Sequence, residues 1–277
     1  MKLIPILVEW TPAIPNRDQL KVKKELQFYE AAFKQSDGIV LISDFLIEKM
    51  HSYTCSSPPF IKIPILCRAG MRSFQIDQEQ IASSLTKSSS YIVYCADHNG
   101  YKSDTVSVIN SFAEAQVDGL QLKLIGKCSP KTNKELTEII TNLGISDRVH
   151  IYPEYIETEQ LKRIYSDAEL LLLPMEKSDR NFARFPSKLA DYLLSGTAVL
   201  CHRVGEVTNY LEDNKNVYFC DHWSEKEFGR RIHTSIHDPN RENIGQSGLC
   251  IATREFDCSH VVANLVHFLN SLDPQVP

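Results

Sequence analysis

Phe185-Pro-Ser-Lys-Leu-Ala-Asp-Tyr-Leu-Leu-Ser-Gly-Thr-Ala-Val-Leu200 reads as a loop, a short helix and a buried strand, with a carboxylate carried inside the helix. Pro186 suits the first turn of a helix, where its missing N–H costs nothing. The backbone N–H groups of Ser187, Lys188 and Leu189 are then left facing solvent or an anion. Asp191 falls about one turn further in, within reach of the hydroxyls of a bound sugar. Gly196 closes the helix, and Ala198-Val-Leu-Cys201 continues as an apolar strand. Two readings stand side by side: a site that holds a phosphate ester, or a helix packed on a sheet with Asp191 on its wet face.

Upstream of this stretch the same alternation repeats. Strands are expected at Tyr91-Ile-Val-Tyr-Cys95, Leu120 to Ile125, Val149 to Tyr152 and Glu169 to Pro174, and helices over 105–115, 131–143 and 159–166. The helices show apolar residues at helical spacing, and Leu170-Leu-Leu-Leu173 has the unbroken apolar run of a strand buried on both faces. Strands alternating with helices of this length predict an α/β domain, a doubly wound parallel sheet of five to six strands with right-handed crossovers. The tail from Glu225 to Leu269 is helical by pattern. Before the sheet, residues 76–90 form a polar connector, and residues 1–75 supply only the strand patterns Leu3–Val8, Gly38–Ile42 and Ile61–Ile65 with an amphipathic helix over 20–34. The domain expectation is therefore a partial unit at 1–75, a linker at 76–90 and a complete unit at 91–277.

Composition bounds the partners. The chain has 277 residues, 43% of them hydrophobic and 23% charged, with a formal net charge of −5, and no lysine or arginine run suited to a nucleic acid duplex. Its eight cysteines include no C-x-x-C pair, and several sit in apolar runs, which favours reduced thiols and a cytoplasmic location. No H-E-x-x-H or D-x-D pattern proposes a metal site. The apolar start at Met1 is too short for a signal peptide, and no segment approaches membrane-spanning length.

The segment from Phe185 is similar to the "fPsKl-E-Yla-G-pvv" signature of the family 4 (group 1) glycosyltransferases. Ser36-Asp-Gly-Ile-Val-Leu-Ile-Ser43 with Ile63-Pro-Ile-Leu66 resembles the segment that closes that family's first domain. Ala96-Asp-His-Asn-Gly-Tyr-Lys-Ser-Asp104 resembles its "G-R-l-x-x-x-K-G" loop. The resemblance implies the two-domain GT-B architecture: a Rossmann-like C-terminal domain for a nucleotide sugar, and an acceptor-side Rossmann-like domain present here only in part. It implies transfer of a sugar from a nucleotide diphosphate sugar to a glycan or lipid-linked acceptor hydroxyl, retaining, without metal or other cofactor, in polysaccharide or glycan biosynthesis. Peripheral membrane contact is compatible with it and nucleic acid is not a partner.

Carried over position by position, the amides of Ser187, Lys188 and Leu189 face the diphosphate, and Asp191 stands for the ribose-binding glutamate. Lys102 neutralises the leaving diphosphate, Gly126 lets the backbone pass close to ligand, and Arg184 and Lys188 add charge. Tyr152-Pro-Glu-Tyr155 resembles the segment lining the nucleobase pocket, with Pro153 at the usual glycine and two tyrosines that either stack on a base or pack in the core. Glu9 is the acid nominated beside the anomeric carbon; Glu30 reads as a surface carboxylate. Three further positions depart from the pattern: Ala183 replaces the first of two glutamates, Asp97 an arginine and Ala96 a glycine. Glu176 and Asp179 are the nearest acids to Ala183. A non-catalytic nucleotide-sugar-binding module is the alternative that Ala183 and Asp97 favour; a nucleotide-sugar epimerase, which needs acids and a histidine from both domains, is a further one.

Overall fold

The protein is described by a computed structural model for residues 2–14, 17–54, 58–68 and 90–272. Among these residues, nine strands form two parallel sheets. The smaller has the order β1 (Ile6–Leu7), β2 (Ile39–Leu41), β3 (Phe60–Lys62), joined by α1 (Gln19–Gln35) and α2 (Asp44–Tyr53). β1 and β3 are shorter than their apolar runs, because Pro5, Pro59 and Pro64 lack the N–H that would extend the ladder. The expected connector at 76–90 lies, apart from Ser90, outside the described residues.

The larger sheet holds β4 (Tyr91–Cys95), β5 (Gln121–Ile125), β6 (Val149–Tyr152), β7 (Leu170–Leu173), β8 (Val199–His202) and β9 (Tyr218–Cys220) in the order β6-β5-β4-β7-β8-β9, all pairs parallel. Numbered from its own first strand this is the doubly wound order 3-2-1-4-5-6, whose chain direction across the sheet reverses between β4 and β7. Period-two alternation feeds two cores. Ile92, Leu122, Leu124, Leu172 and Leu200 meet α3 (Lys102–Ala115), α4 (Pro130–Asn142) and, further along the chain, α8 (Glu225–Ile236). Val93, Leu171, Leu173, Val199 and Phe219 point the other way, onto α5 (Thr158–Ser166), α7 (Ser187–Leu194) and the end of α9 (Arg241–Glu255).

Local chemistry sets the helix ends. Ser129 caps α4 through the Thr132 N–H with Pro130 in the first turn, and Ser224 caps α8 through the Glu227 N–H. Gly196, at φ +77°, ends α7 by a bond from its N–H to the Leu193 carbonyl. The short α6 (Asp179–Ala183), absent from the sequence expectation, is capped by the Ser178 side chain on the Asn181 N–H.

The two units are joined at several points. The last helix, α10 (Cys258–Ser271), begins beside Cys67, whose N–H donates to the Phe256 carbonyl at 2.7 Å while the Cys258 N–H donates to the Cys67 carbonyl at 2.9 Å. Its far end reaches Gly38, where an added Cβ would lie 2.6 Å from Leu272. Ser43, fully buried, caps α2 and donates from Oγ to the Ala183 carbonyl at 2.7 Å. Lys62 of β3 donates to Glu206 at 2.6 Å and to Asp44 at 2.7 Å. Desolvation alone would lower the Lys62 ammonium, but the bonds to Asp44 and Glu206 outweigh it and hold it above its usual value.

Candidate functional site

The carboxyl ends of the parallel strands are where loops and helix N-termini converge, and the reversal between β4 and β7 leaves a crevice there. The β4 loop, Ala96 to Tyr101, enters from one side and the chain after β7, through α6 to Pro186, from the other. They meet directly: Arg184 Nη1 donates to the Tyr101 hydroxyl at 2.8 Å, and the Arg184 and Arg180 guanidinium carbons lie 5.0 and 4.3 Å from the Tyr101 ring centroid. The floor is fixed by Tyr192 of α7, fully buried, whose hydroxyl accepts from the Cys95 N–H at 2.9 Å.

A cleft of about 490 Å³ opens over this junction. One wall is Tyr101, Arg184, Phe185, Pro186 and Ser187; the opposite wall is Ile6 to Glu9, Val40 to Ile42 and Ile63 to Leu66 of the small sheet, with Leu265 of α10 at the side. Thus Glu9, nominated from the partial unit, and Arg184 and Ser187, nominated from the complete one, share one cavity. The backbone of Glu9 is held by the Tyr29 hydroxyl, which donates to its carbonyl at 2.7 Å, and the residue is exposed to the cleft.

The first turn of α7 is more restricted than its sequence suggests. The Leu189 N–H is taken by the Pro186 carbonyl at 3.0 Å and the side chain is wholly buried, so the open amides of the turn are those of Ser187 and Lys188. Asp191 stands exposed on the same helix. Desolvation holds its carboxyl above the usual carboxylate range, with Lys188 and Lys162 pulling it down. Lys102, expected at the leaving group, opens α3 but is turned the other way, its ammonium paired with Glu135 of α4 and not on the cleft wall.

Gly126, at the carboxyl end of β5, adopts φ +128°, and a Cβ there would sit 2.1 Å from the Ala96 carbonyl oxygen. That glycine allows the β4 and β5 ends to touch. Pro153 follows β6 in an exposed position, and of the flanking tyrosines Tyr155 is 81% exposed and Tyr152 39%, so neither belongs to the core.

The departures from the family pattern have local explanations. Ala183 is wholly buried with the small-sheet core of Trp10, Phe33 and Leu46, its carbonyl taken by Ser43, which leaves no solvated space for a carboxylate. Asp97 folds its own loop, accepting from the Asn99 N–H at 3.1 Å and the Gly100 N–H at 3.4 Å. Asp179 pairs with Lys49 at 3.7 Å, Glu176 is exposed, and Glu30 pairs with Lys34 at 2.7 Å on the surface.

Two histidines sit at strand ends but are core groups. His98 and His202 are buried, bonded through Nδ1 to the Thr105 hydroxyl at 3.0 Å and the Met175 N–H at 3.1 Å, and burial pushes each down to about 4. Among the described residues no group of three or more His, Cys, Asp or Glu could hold a metal ion, the seven described cysteines are free thiols, and no helix is long and apolar enough to cross a membrane.

The sequence alone did not single out Tyr101, inside the 96–104 loop, or Arg180 and Glu206, whose partners lie far along the chain.

Comparison with known proteins places this geometry. The family model described as glycosyl transferases group 1 matches residues 77–248. No curated protein sequence matches the chain. Among solved structures, the chain is similar to a sucrose-phosphate synthase from Thermosynechococcus elongatus, with TM-score 0.74 and 16% identity over 93% of this chain and 62% of that one. It is also similar to Anabaena HepE, solved with UDP-glucose, with TM-score 0.77 and 15% identity over 98% of this chain and 72% of that one. A glycosyltransferase from Rickettsia africae matches with TM-score 0.73 and 11% identity over 90% of this chain and 68% of that one. At these identities the structural likeness is one of fold.

Proposed function

The chain belongs to the group 1 glycosyl transferases, and from that premise we propose that it transfers a sugar from a nucleotide diphosphate sugar to an acceptor hydroxyl. The observation that carries this reading is one cleft lined by Ser187, at the start of α7, and Arg184 together with Glu9. In this reading the C1–O bond to the diphosphate breaks and the acceptor oxygen bonds to C1 on the same face. The departing charge falls on Arg184 and the α7 amides without a metal ion. Glu9, on the opposite wall, takes the proton of the acceptor hydroxyl as its oxygen bonds to C1. Asp191 holds the ribose, Gly126 and Pro153 border the nucleoside, and Lys102 serves only once released from Glu135.

The UDP-glucose in the HepE structure supports the donor class. The apolar small-sheet wall suits an acceptor with an apolar portion, a lipid-linked glycan in polysaccharide or glycan assembly, met at a membrane surface from the cytoplasm. Free thiols in the described residues accord with that compartment.

Asp191→Ala tests the donor half. The residue is exposed, so the variant should melt like the wild type while its affinity for a nucleoside diphosphate falls about tenfold, the worth of a hydrogen bond to a charged group. Because Asp191 protonates at a higher pH than an ordinary carboxyl, wild-type affinity should decline early on acidification, and that decline should vanish in the variant. Calorimetric titrations across the acid range check both; wild-type affinity in Asp191→Ala would remove the residue from the site. Transfer itself is read as nucleoside diphosphate release that depends on acceptor. Buried Ala183 favours the second reading, a binding module, under which ligand binds but no sugar moves.

A further inference from the structure

In the strand-end loop that resembles the family's phosphate loop, one cation position is an aspartate and the other cation is paired with a carboxylate. Asp97 occupies the arginine position and folds the loop upon itself, and Lys102 faces Glu135. Positive charge instead arrives across the crevice from the chain after β7. Arg180, in α6, and Arg184, at its end, lie against one aromatic ring, that of Tyr101. The hydroxyl of that ring accepts from Arg184 Nη1, and the Arg184 Nε is buried with no hydrogen-bond partner. Asp104, in the first turn of α3, is raised by desolvation and by Glu176, with Arg184 and then Arg180 drawing it down. The two guanidiniums thus act on Asp104 together, with Glu176 opposing them there, beside the cleft that Tyr101, Arg184 and Ser187 line.

We propose that Tyr101 is a positioning residue for a two-arginine diphosphate clamp, holding Arg184 by its hydroxyl and both guanidiniums by its ring, so that Arg180 joins Arg184 in taking the charge of the donor's diphosphate. This rests on the donor reading given above. A guanidinium offers a planar fork to phosphate oxygens, and one held in place loses little freedom on binding. An aromatic platform supplies that restraint without neutralising the cation, which a carboxylate partner would do. The clamp brings its arginines from the chain after β7, while the loop lysine Lys102 is paired with Glu135.

The test separates phosphate recognition from recognition of the nucleoside. Wild type is titrated calorimetrically with uridine, guanosine and adenosine diphosphates, and the one that binds is compared with its nucleoside in Tyr101→Phe, Tyr101→Leu and Arg180→Met. The diphosphate should weaken a few-fold in Tyr101→Phe and about tenfold in the other two, while nucleoside affinity stays within about twofold. Circular dichroism and melting temperature are measured on each variant. Folded variants that bind the diphosphate as wild type does, or that lose diphosphate and nucleoside alike, would overturn the clamp and leave the donor reading in place. A folded wild type that binds none of the three would overturn the donor reading and the clamp with it.

Discussion

Gly126→Ala should lower the urea unfolding midpoint sharply, by a free energy on the order of 3 kcal/mol or more. At φ +128° the backbone is in a region that side chains with a Cβ rarely adopt, and the new atom would sit 2.1 Å from the Ala96 oxygen and 3.0 Å from its carbonyl carbon. Both are backbone atoms, so no rotamer change relieves the clash. The strand ends must separate, yet the same junction carries the bond from the Ala96 N–H to the Ile125 carbonyl at 2.9 Å and that from the Gly126 N–H to the Tyr152 carbonyl at 3.1 Å. The loss therefore spreads to β4, β5 and β6 together, and with them to the loop that presents Tyr101. A midpoint within about 1 kcal/mol of wild type would show that the two loops do not approach as closely as described.

Glu206→Ala should cost about 3 kcal/mol, and should loosen the small sheet before the large one. Glu206 is only 2% exposed, yet it accepts from Lys62 at 2.6 Å and from the Asp44 N–H at 3.0 Å; Asp44 in turn accepts from Lys62 at 2.7 Å and from Asn209 at 2.7 Å. Removing the carboxylate leaves a half-buried ammonium with one partner and a backbone donor with none. Hydrogen exchange should quicken first in α2 and β3. Lys62→Met combined with Glu206→Leu should recover part of the loss, since an apolar pair of similar volume removes the stranded charge. The raised Lys62 value fixes the sign of the pH dependence: its contribution is complete below the ordinary lysine value of 10.5 and disappears as pH climbs through the higher folded value. Wild type should thus lose stability at strongly alkaline pH that Lys62→Met does not lose. Unchanged exchange in α2 and β3 would show that the network does not join the units.

The doubly wound sheet was legible because its strands are buried on both faces. Leu170-Leu-Leu-Leu173 and Val199-Leu-Cys201 have no polar phase to obscure them, and Gly126 and Gly196 mark where β5 and α7 stop. The small sheet was less legible, since three prolines trim β1 and β3 to two and three residues, and α6 is only five residues long. Within the candidate site, residues whose place follows from position along one element could be nominated: Ser187 and Asp191 on α7, Glu9 after β1. Residues whose role follows from a partner far along the chain were not. Nothing near Tyr101 in sequence announces Arg180 and Arg184, and nothing near Lys102 announces that α4 brings Glu135 to it. The exposed tyrosines Tyr152 and Tyr155 show the same limit, for an aromatic residue at a strand end faces core or solvent according to the loops around it.

The central claim is that the crevice between the β4 and β7 ends, roofed by the small sheet, binds a nucleotide diphosphate sugar. A thermal-shift titration of the intact chain with uridine, guanosine and adenosine diphosphates and their sugar conjugates tests it most directly, since a ligand at about 100 times its Kd that binds only the native state adds about 2.7 kcal/mol of stability. The account predicts a rise in melting temperature selective for one base, with the sugar conjugate and its diphosphate both effective. A protein that is folded and melts cooperatively, yet is shifted by none of them, would contradict it.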